Sequence, residues 1–288
     1  MTGGAGEGEG AVNRISQSKR RLARRLRSRR GREREGSALV EGPGLVGEAL
    51  MSPVAVRWVL VGEEYGTRER GRAIVARCAD DGVEADVAPD GEVRDLCSTD
   101  APQPVVACVR PPPLESRSLE RGRYLLAGGV QMPGNLGTLI RSAWAFGLDG
   151  AVIGAGTVDP WNPKVVRASA GAVFHLALIG EPAGLVGDGD RGGANEAGRL
   201  NVLRADAGGE PPEEVDEARA RDWVLVVGNE GGGISPPLGC RGRAVAVPLA
   251  AGVDSLNVAV AGSILMYELM RIGGAEDGRS APNGGGRT

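Results

Sequence analysis

Three segments of the chain set glycine beside amide, carboxylate, hydroxyl or guanidinium side chains. The first runs Gly129-Val130-Gln131-Met132-Pro133-Gly134-Asn135-Leu136-Gly137-Thr138-Leu139-Ile140-Arg141-Ser142-Ala143. The second is Gly228-Asn229-Glu230-Gly231-Gly232-Gly233-Ile234-Ser235, and the third runs from Val245 through Asp254-Ser255-Leu256-Asn257 to Ala261. Each follows or flanks a strand-like run. A strand, a glycine loop and a helix start together form a common cofactor-binding arrangement. Glycine lets the backbone approach a ligand, and exposed N–H and C=O groups supply the contacts. Any one of these loops reads equally well as a tight turn. Three within one domain, carrying Asn, Glu, Arg and Ser, shift the reading towards a site. The loop at Gly228 lacks G-K-[ST] and is no P-loop, and Gly154-x-Gly156 meets Asp159 where a dinucleotide fingerprint needs its third glycine.

Composition narrows the chemistry further. The 288 residues allow one large or two modest domains. The single histidine, His175, cannot build a two-histidine metal motif, and no metal is expected. Cys78, Cys97, Cys108 and Cys240 are scattered without a C-x-x-C pair, which predicts free thiols and a cytoplasmic location. No apolar run approaches the roughly 18 residues that would span a bilayer, so no membrane partner is expected. Nine aromatics are few for an RNA-recognition sheet that stacks bases. Chemistry is left to arginine, carboxylate, amide, hydroxyl and backbone groups.

Charge is unevenly placed. The net charge is −3, yet residues 14–36 hold eleven cations, Arg24 and Arg25 among them, against Glu33 and Glu35. A basic segment on an acidic body is a footprint for nucleic acid; a solvated helix without a partner is the plainer alternative. Residues 1–36 are read as a disordered, basic arm. Strand-like runs at Ala38–Val40, Val56–Val61, Val83–Val87 and Val105–Val109 alternate with helical stretches at Pro43–Met51, Thr67–Asp80 and Asp90–Cys97. They predict a small α/β domain over residues 37–110. Pro111-Pro112-Pro113 opens a linker over 111–122. The second domain, 123–272, has strand-like runs at Tyr124–Ala127, Gly150–Ile153, Asn201–Ala205, Trp223–Val227 and Ala244–Val247. Helices fit Leu136–Phe146, Pro163–Ala170 and Ser255–Ile272, the last with Leu256, Val260, Ile264 and Met270 on one apolar face. Gly180–Gly198 is expected to be a mobile loop and 273–288 a disordered tail. His175 lies in a strand-like run, Phe174-His175-Leu176, and reads as structural.

The three glycine segments resemble the signature motifs of the SpoU/TrmH branch of the SPOUT RNA methyltransferases. Pro133-Gly134-Asn135-Leu136-Gly137 with Arg141 is similar to the first motif, Gly228-Asn229-Glu230-Gly231 to the second, and Ser255-Leu256-Asn257 to the third. Order and spacing match, and Pro163-Lys164 through Gly171 resembles the segment between motifs. The resemblance covers roughly Gly36 to Ile272. It implies an α/β domain with a deep trefoil knot, preceded by a small ribosomal-protein-like substrate-binding domain. The implied cofactor is S-adenosylmethionine, held by backbone groups of Gly228, Val247 and Leu256. The implied reaction is methylation of a ribose 2′-hydroxyl in structured RNA, with ribosomal RNA favoured. Catalytic roles fall to Arg141, Asn135, Glu230, Ser255 and Asn257. Arg141 activates the hydroxyl in the family. A guanidinium has no acceptor lone pair, which favours electrostatic stabilisation or a phosphate contact. Ser255 also suits the N-cap of the last helix, and Glu230 either pairs with Arg141 or anchors its loop. Lys164, Arg167, Arg24 and Arg25 are candidate RNA contacts. Homodimerisation through the knotted domain is implied as well.

One departure stands out: Met132 occupies the place where the family usually has Asp or Asn. Transfer RNA as substrate, base methylation, or a catalytically silent RNA-binding protein remain alternatives at this point.

Overall fold

A computed structural model describes residues 15–181, 200–216, 220–228 and 242–274. The expected disordered start, most of the Gly180–Gly198 loop and the end of the tail lie outside the described residues, as do Glu230 and Cys240. The chain divides into two compact units at Pro111–Pro112.

The first unit is a four-stranded sheet in the order β1-β4-β2-β3. The strands are β1 (Ala38–Glu41), β2 (Ala55–Gly62), β3 (Glu84–Ala88) and β4 (Val105–Arg110). The β1/β4 and β2/β4 pairs are antiparallel and β2/β3 is parallel. The basic segment corrects the sequence reading. From residue 15 to Gly36 it is no disordered arm but part of this unit. Ser16 caps α1 (Gln17–Leu26) and Ser28 caps α2 (Arg29–Glu35). Ile15, Ala23 and Leu26 are buried, packed into one cluster with Leu39, Trp58, Leu60 and Val106. Ala23 and Leu26 share one face of α1 and Ile15 precedes its cap, and apolar burial holds the helix down despite its charge.

The cations of this segment are largely spent inside the unit. Lys19 bonds Asp86 at 2.6 Å and Glu84 at 2.8 Å over the Trp58 ring. Burial works against its charge, but those hydrogen bonds outweigh it and hold its pKa above the ordinary lysine value. Arg20 pairs with Glu92, and Arg25 with Glu35 at 2.9 Å. Arg32 is buried and donates to the carbonyls of Leu26 and Arg27. Arg21, Arg24 and Arg30 are exposed and form no ion pair with a described residue.

The second unit is a six-stranded parallel sheet in the order β10-β8-β9-β5-β6-β7. Its strands are β5 (Arg123–Ala127), β6 (Gly150–Ile153), β7 (Leu178–Gly180), β8 (Asn201–Glu210), β9 (Trp223–Val227) and β10 (Arg243–Val245). β5 and β9 are buried throughout, as expected for central parallel strands. Residues 112–122 are no free linker. Leu119 is buried with Tyr124, Leu126 and Val224, and Ser116 bridges to Gly180. His175 follows a 3₁₀ turn at Ala172–Phe174 rather than lying in a strand, and its ring stacks on Trp144 with centroids 4.8 Å apart. Among the described residues no helix is long and apolar enough to cross a membrane.

Candidate functional site

The site lies at the C-terminal ends of β5, β8 and β9, the end at which open parallel sheets bind ligands. The first glycine loop leaves β5 and is pinned on both sides. The Gly128 N–H donates to the Val227 carbonyl at 2.9 Å, at the end of β9. Thr157 Oγ1 accepts from the Gly129 N–H at 3.0 Å and donates to the Ala127 carbonyl at 2.7 Å. Gly129 has φ 78°, a conformation that favours glycine.

The loop delivers α7 (Pro133–Ala145). Pro133 at its first position suits a helix start. Met132 is the N-cap, 60% exposed, with no side-chain cap bond. A thioether cannot replace the acceptor that Asp or Asn offers, so the departure removes a cap worth about 1 kcal/mol. Arg141 sits on α7, exposed, and makes no ion pair with a described residue.

Two helices press on α7. α8 (Pro163–Ala168) approaches because Gly137 has no side chain: a Cβ there would fall 2.4 Å from Ala168 Cβ and 2.8 Å from the Val165 carbonyl oxygen. α9 (Val258–Ile272) approaches at Gly262, where a Cβ would meet Leu139 at 2.7 Å. Ser263 donates to the Ala259 carbonyl at 2.6 Å, which leaves its oxygen to accept from Ser142 at 2.7 Å.

α9 begins later than the sequence suggests, and its N-cap is Asn257, not Ser255. Asn257 Oδ1 accepts from the N–H groups of Ala259 and Val260 at 2.9 and 3.3 Å. Its Nδ2 donates to Asn135 Oδ1 at 3.1 Å. One amide thus closes the start of α9 and ties it to α7. The buried face of α9 is Ala259, Gly262, Leu265, Met266 and Leu269, whereas Val260 and Ile264 of the apolar face read from the sequence are 46% and 37% exposed.

Beside this junction lies a cleft of about 420 Å³. Gly228, Val247, Ser255, Leu256 and Asn257 all line it. Asn135 joins them through Asn257. Lys164 and Arg167 lie on α8, and Asn162 caps that helix through the Lys164 N–H at 3.0 Å. Arg24 and Arg25 belong to α1 of the first unit. The sequence reading missed Ala205, Asp206 and Ala207 of β8, which also line the cleft. The available signal was their position at the end of a strand-like run.

Comparisons with known proteins agree with this architecture. The model of the SpoU rRNA methylase family matches residues 122–267, and that of the MRM3-like substrate binding domain matches residues 19–107. The Bacillus subtilis protein named 23S rRNA (guanosine(2553)-2′-O)-methyltransferase RlmP is 33% identical over 85% of this chain and 93% of its own length. A 23S rRNA (uridine(2479)-2′-O)-methyltransferase from Streptomyces viridochromogenes is 28% identical over 85% of this chain and 86% of its own. The crystal structure of the SpoU methyltransferase AviRb from that organism, in complex with AdoMet, superposes with a TM-score of 0.75. It is 26% identical and covers 89% of this chain and 98% of its own. With its family model matched across the whole second unit's sheet and site, the chain belongs to the SpoU rRNA methylase family.

Proposed function

We propose that this protein transfers a methyl group from S-adenosylmethionine to a ribose 2′-hydroxyl of ribosomal RNA. The observation that carries this reading is the junction at Asn257. It joins a cleft lined by Gly228, Val247 and Leu256 to the helix that bears Asn135 and Arg141. The cleft fits the donor. Its volume is about 420 Å³, within the roughly 300–1,000 Å³ of small-molecule sites, and its walls are mostly apolar. When bound, the donor supplies a methyl on a cationic sulfur and so brings its own leaving-group activation.

The residues then divide the remaining work. Backbone groups at Gly228, Val247 and Leu256 hold the donor. Asn257 fixes Asn135, and with Ser255 these groups orient the ribose hydroxyl. Arg141 faces the negative charge that develops on the hydroxyl oxygen as its proton leaves. Glu230 is assigned to the second loop of the same site. Lys164 and Arg167 on α8 contact flanking phosphates.

The family resemblance supports a deep trefoil knot in the second unit. In sheet order β10 is an edge strand, and the chain that leaves it leads to α9, which packs on α7. The outward stripe of Val260, Ile264 and Tyr267 on α9, 37–52% exposed, supports a homodimer through this unit. The buried free thiols of Cys78, Cys97 and Cys108 support a cytoplasmic location.

The RNA footprint on the first unit is the set Arg21, Arg24 and Arg30, which pair with no described residue, with Arg25 beside it. Removing residues 1–35 would strip Ile15, Ala23 and Leu26 from the core, so charge removal is the sounder test. The double variant R21A/R24A should keep its thermal stability, weaken binding to ribosomal RNA, and lower the slope of log K against log salt by about 1.5. An unchanged slope would remove these two arginines from the interface. Substrate class is read by primer extension at low nucleotide concentration. A stop should appear on ribosomal RNA treated with enzyme and donor, and stops on transfer RNA alone would contradict the proposal.

A further inference from the structure

We propose that Asp206 reads the ribose diol of the methyl donor. The inference rests on the cleft being the donor site. Three observations carry it. First, among the described residues that line the cleft, Asp206 is the only ionisable side chain. A single exposed carboxylate, ion-paired with Arg204 at the edge of a mostly apolar cleft, marks a point of polar recognition.

Second, its backbone is built to place it there. β8 pairs with β10 at Arg204↔Ala244 and resumes at Glu210↔Val245. The residues between, Ala205 to Gly209, bulge out of register, and bulges re-aim side chains next to sites. The C-terminal end of the bulge is secured twice. Arg243 pairs with Glu210 beyond it. A Cβ on Gly209 would fall 2.6 Å from the Ala244 carbonyl carbon, so only glycine permits the closure. Asp206 Oδ1 accepts from the Gly208 N–H at 3.0 Å, which fixes the carboxylate within the turn. Arg204 Nη1 forms an ion pair with Oδ2 at 3.7 Å, longer than a hydrogen bond. A carboxylate has about four acceptor positions, so the brace leaves capacity for two hydroxyl donors.

Third, sheet order sets Asp206 away from the chemistry. β8 is separated by β9 from β5, the strand that leads to α7 and Arg141. Two strand spacings are about 10 Å. A carboxylate there meets a part of the donor that does not react. Adjacent hydroxyls, which both donate, match its two oxygens, as acidic residues at strand ends do for other nucleoside ligands.

The test is calorimetric, on the full chain, with wild type and D206N. The amide of D206N keeps an oxygen for the Gly208 N–H, so the turn and the melting temperature should be retained. The probes are S-adenosylmethionine, S-adenosylhomocysteine and 2′-deoxy-S-adenosylhomocysteine. Wild type should bind S-adenosylhomocysteine about tenfold more tightly than its 2′-deoxy form. D206N should lose that preference and weaken both sulfonium and thioether ligands by the same factor, about tenfold. In turnover, KM for the donor should rise while kcat holds, the signature of binding shared by ground and transition states. A preserved 2′-hydroxyl preference in D206N would overturn the proposal. So would a loss confined to S-adenosylmethionine, which would place the carboxylate at the sulfonium. Wild type that binds none of the probes would overturn the donor site itself, and with it the role of Asp206.

Discussion

Arg141→Ala should reduce methyl transfer to RNA by at least about 10²-fold while donor affinity stays within about twofold of wild type. The magnitude is that of removing one charged donor aimed at developing negative charge in a site that bound RNA shelters. The separation of effects follows from position. Arg141 lies on α7 and is not among the groups that line the cleft, which include Gly228, Val247 and Leu256. Single-turnover methylation with calorimetry on the same preparation reads both quantities. Full activity in the variant would remove Arg141 from the mechanism. Equal losses in donor binding and turnover would make it a donor ligand.

Gly137→Val should destabilise the second unit and remove activity with it. The new Cβ would lie 2.4 Å from Ala168 Cβ and within 2.9 Å of the Ser169 nitrogen. Backbone atoms on α8 cannot swing aside as a side-chain end can, so α7 and α8 must part. Overpacking of this kind costs about 1–3 kcal/mol or more, which for a unit of this size lowers Tm by about 2–12 °C. A thermal melt with an unchanged midpoint would show that the helix contact is looser than described. A stable variant with lost activity would instead tie Gly137 to the chemistry directly.

The two variants separate motif residues that serve chemistry from motif residues that serve packing. Pro133 and Gly137 set where α7 starts and how closely α8 approaches it, whereas Asn135 and Arg141 present polar groups. Asn257 does both, as helix cap and as the link to Asn135. Sequence alone could rank these residues as a group because order and spacing were visible. It could not divide the roles, because capping and close approach depend on partners distant in the chain.

Elsewhere legibility followed the strength of the local pattern. Strands β2, β4, β5, β6 and β9 were visible as apolar runs between turn residues. The helix start at Val258 was obscured because Ser255 and Asn257 are both good caps, and only the bonds Asn257 makes to Ala259, Val260 and Asn135 distinguish them. Which apolar face of α9 meets the core was not legible, for a physical reason. The helix carries apolar residues on both sides, and the smaller Ala259 and Gly262 are buried while Val260 and Ile264 face outward. The basic segment was misjudged because eleven cations mask the sparse apolar set Ile15, Ala23 and Leu26. Strand β7 and the β8 bulge left no periodic signal, the first because it is only three residues long, the second because a bulge breaks alternation.

The central claim is methyl transfer to a ribose oxygen, and the direct measurement is the fate of a labelled methyl group. Wild-type protein, ribosomal RNA and methyl-labelled S-adenosylmethionine should yield labelled RNA. After complete alkaline hydrolysis the label should remain in a dinucleotide, because a methylated 2′-oxygen cannot attack the adjacent phosphate. Label released with a mononucleotide base, or no label in any RNA, would contradict the account.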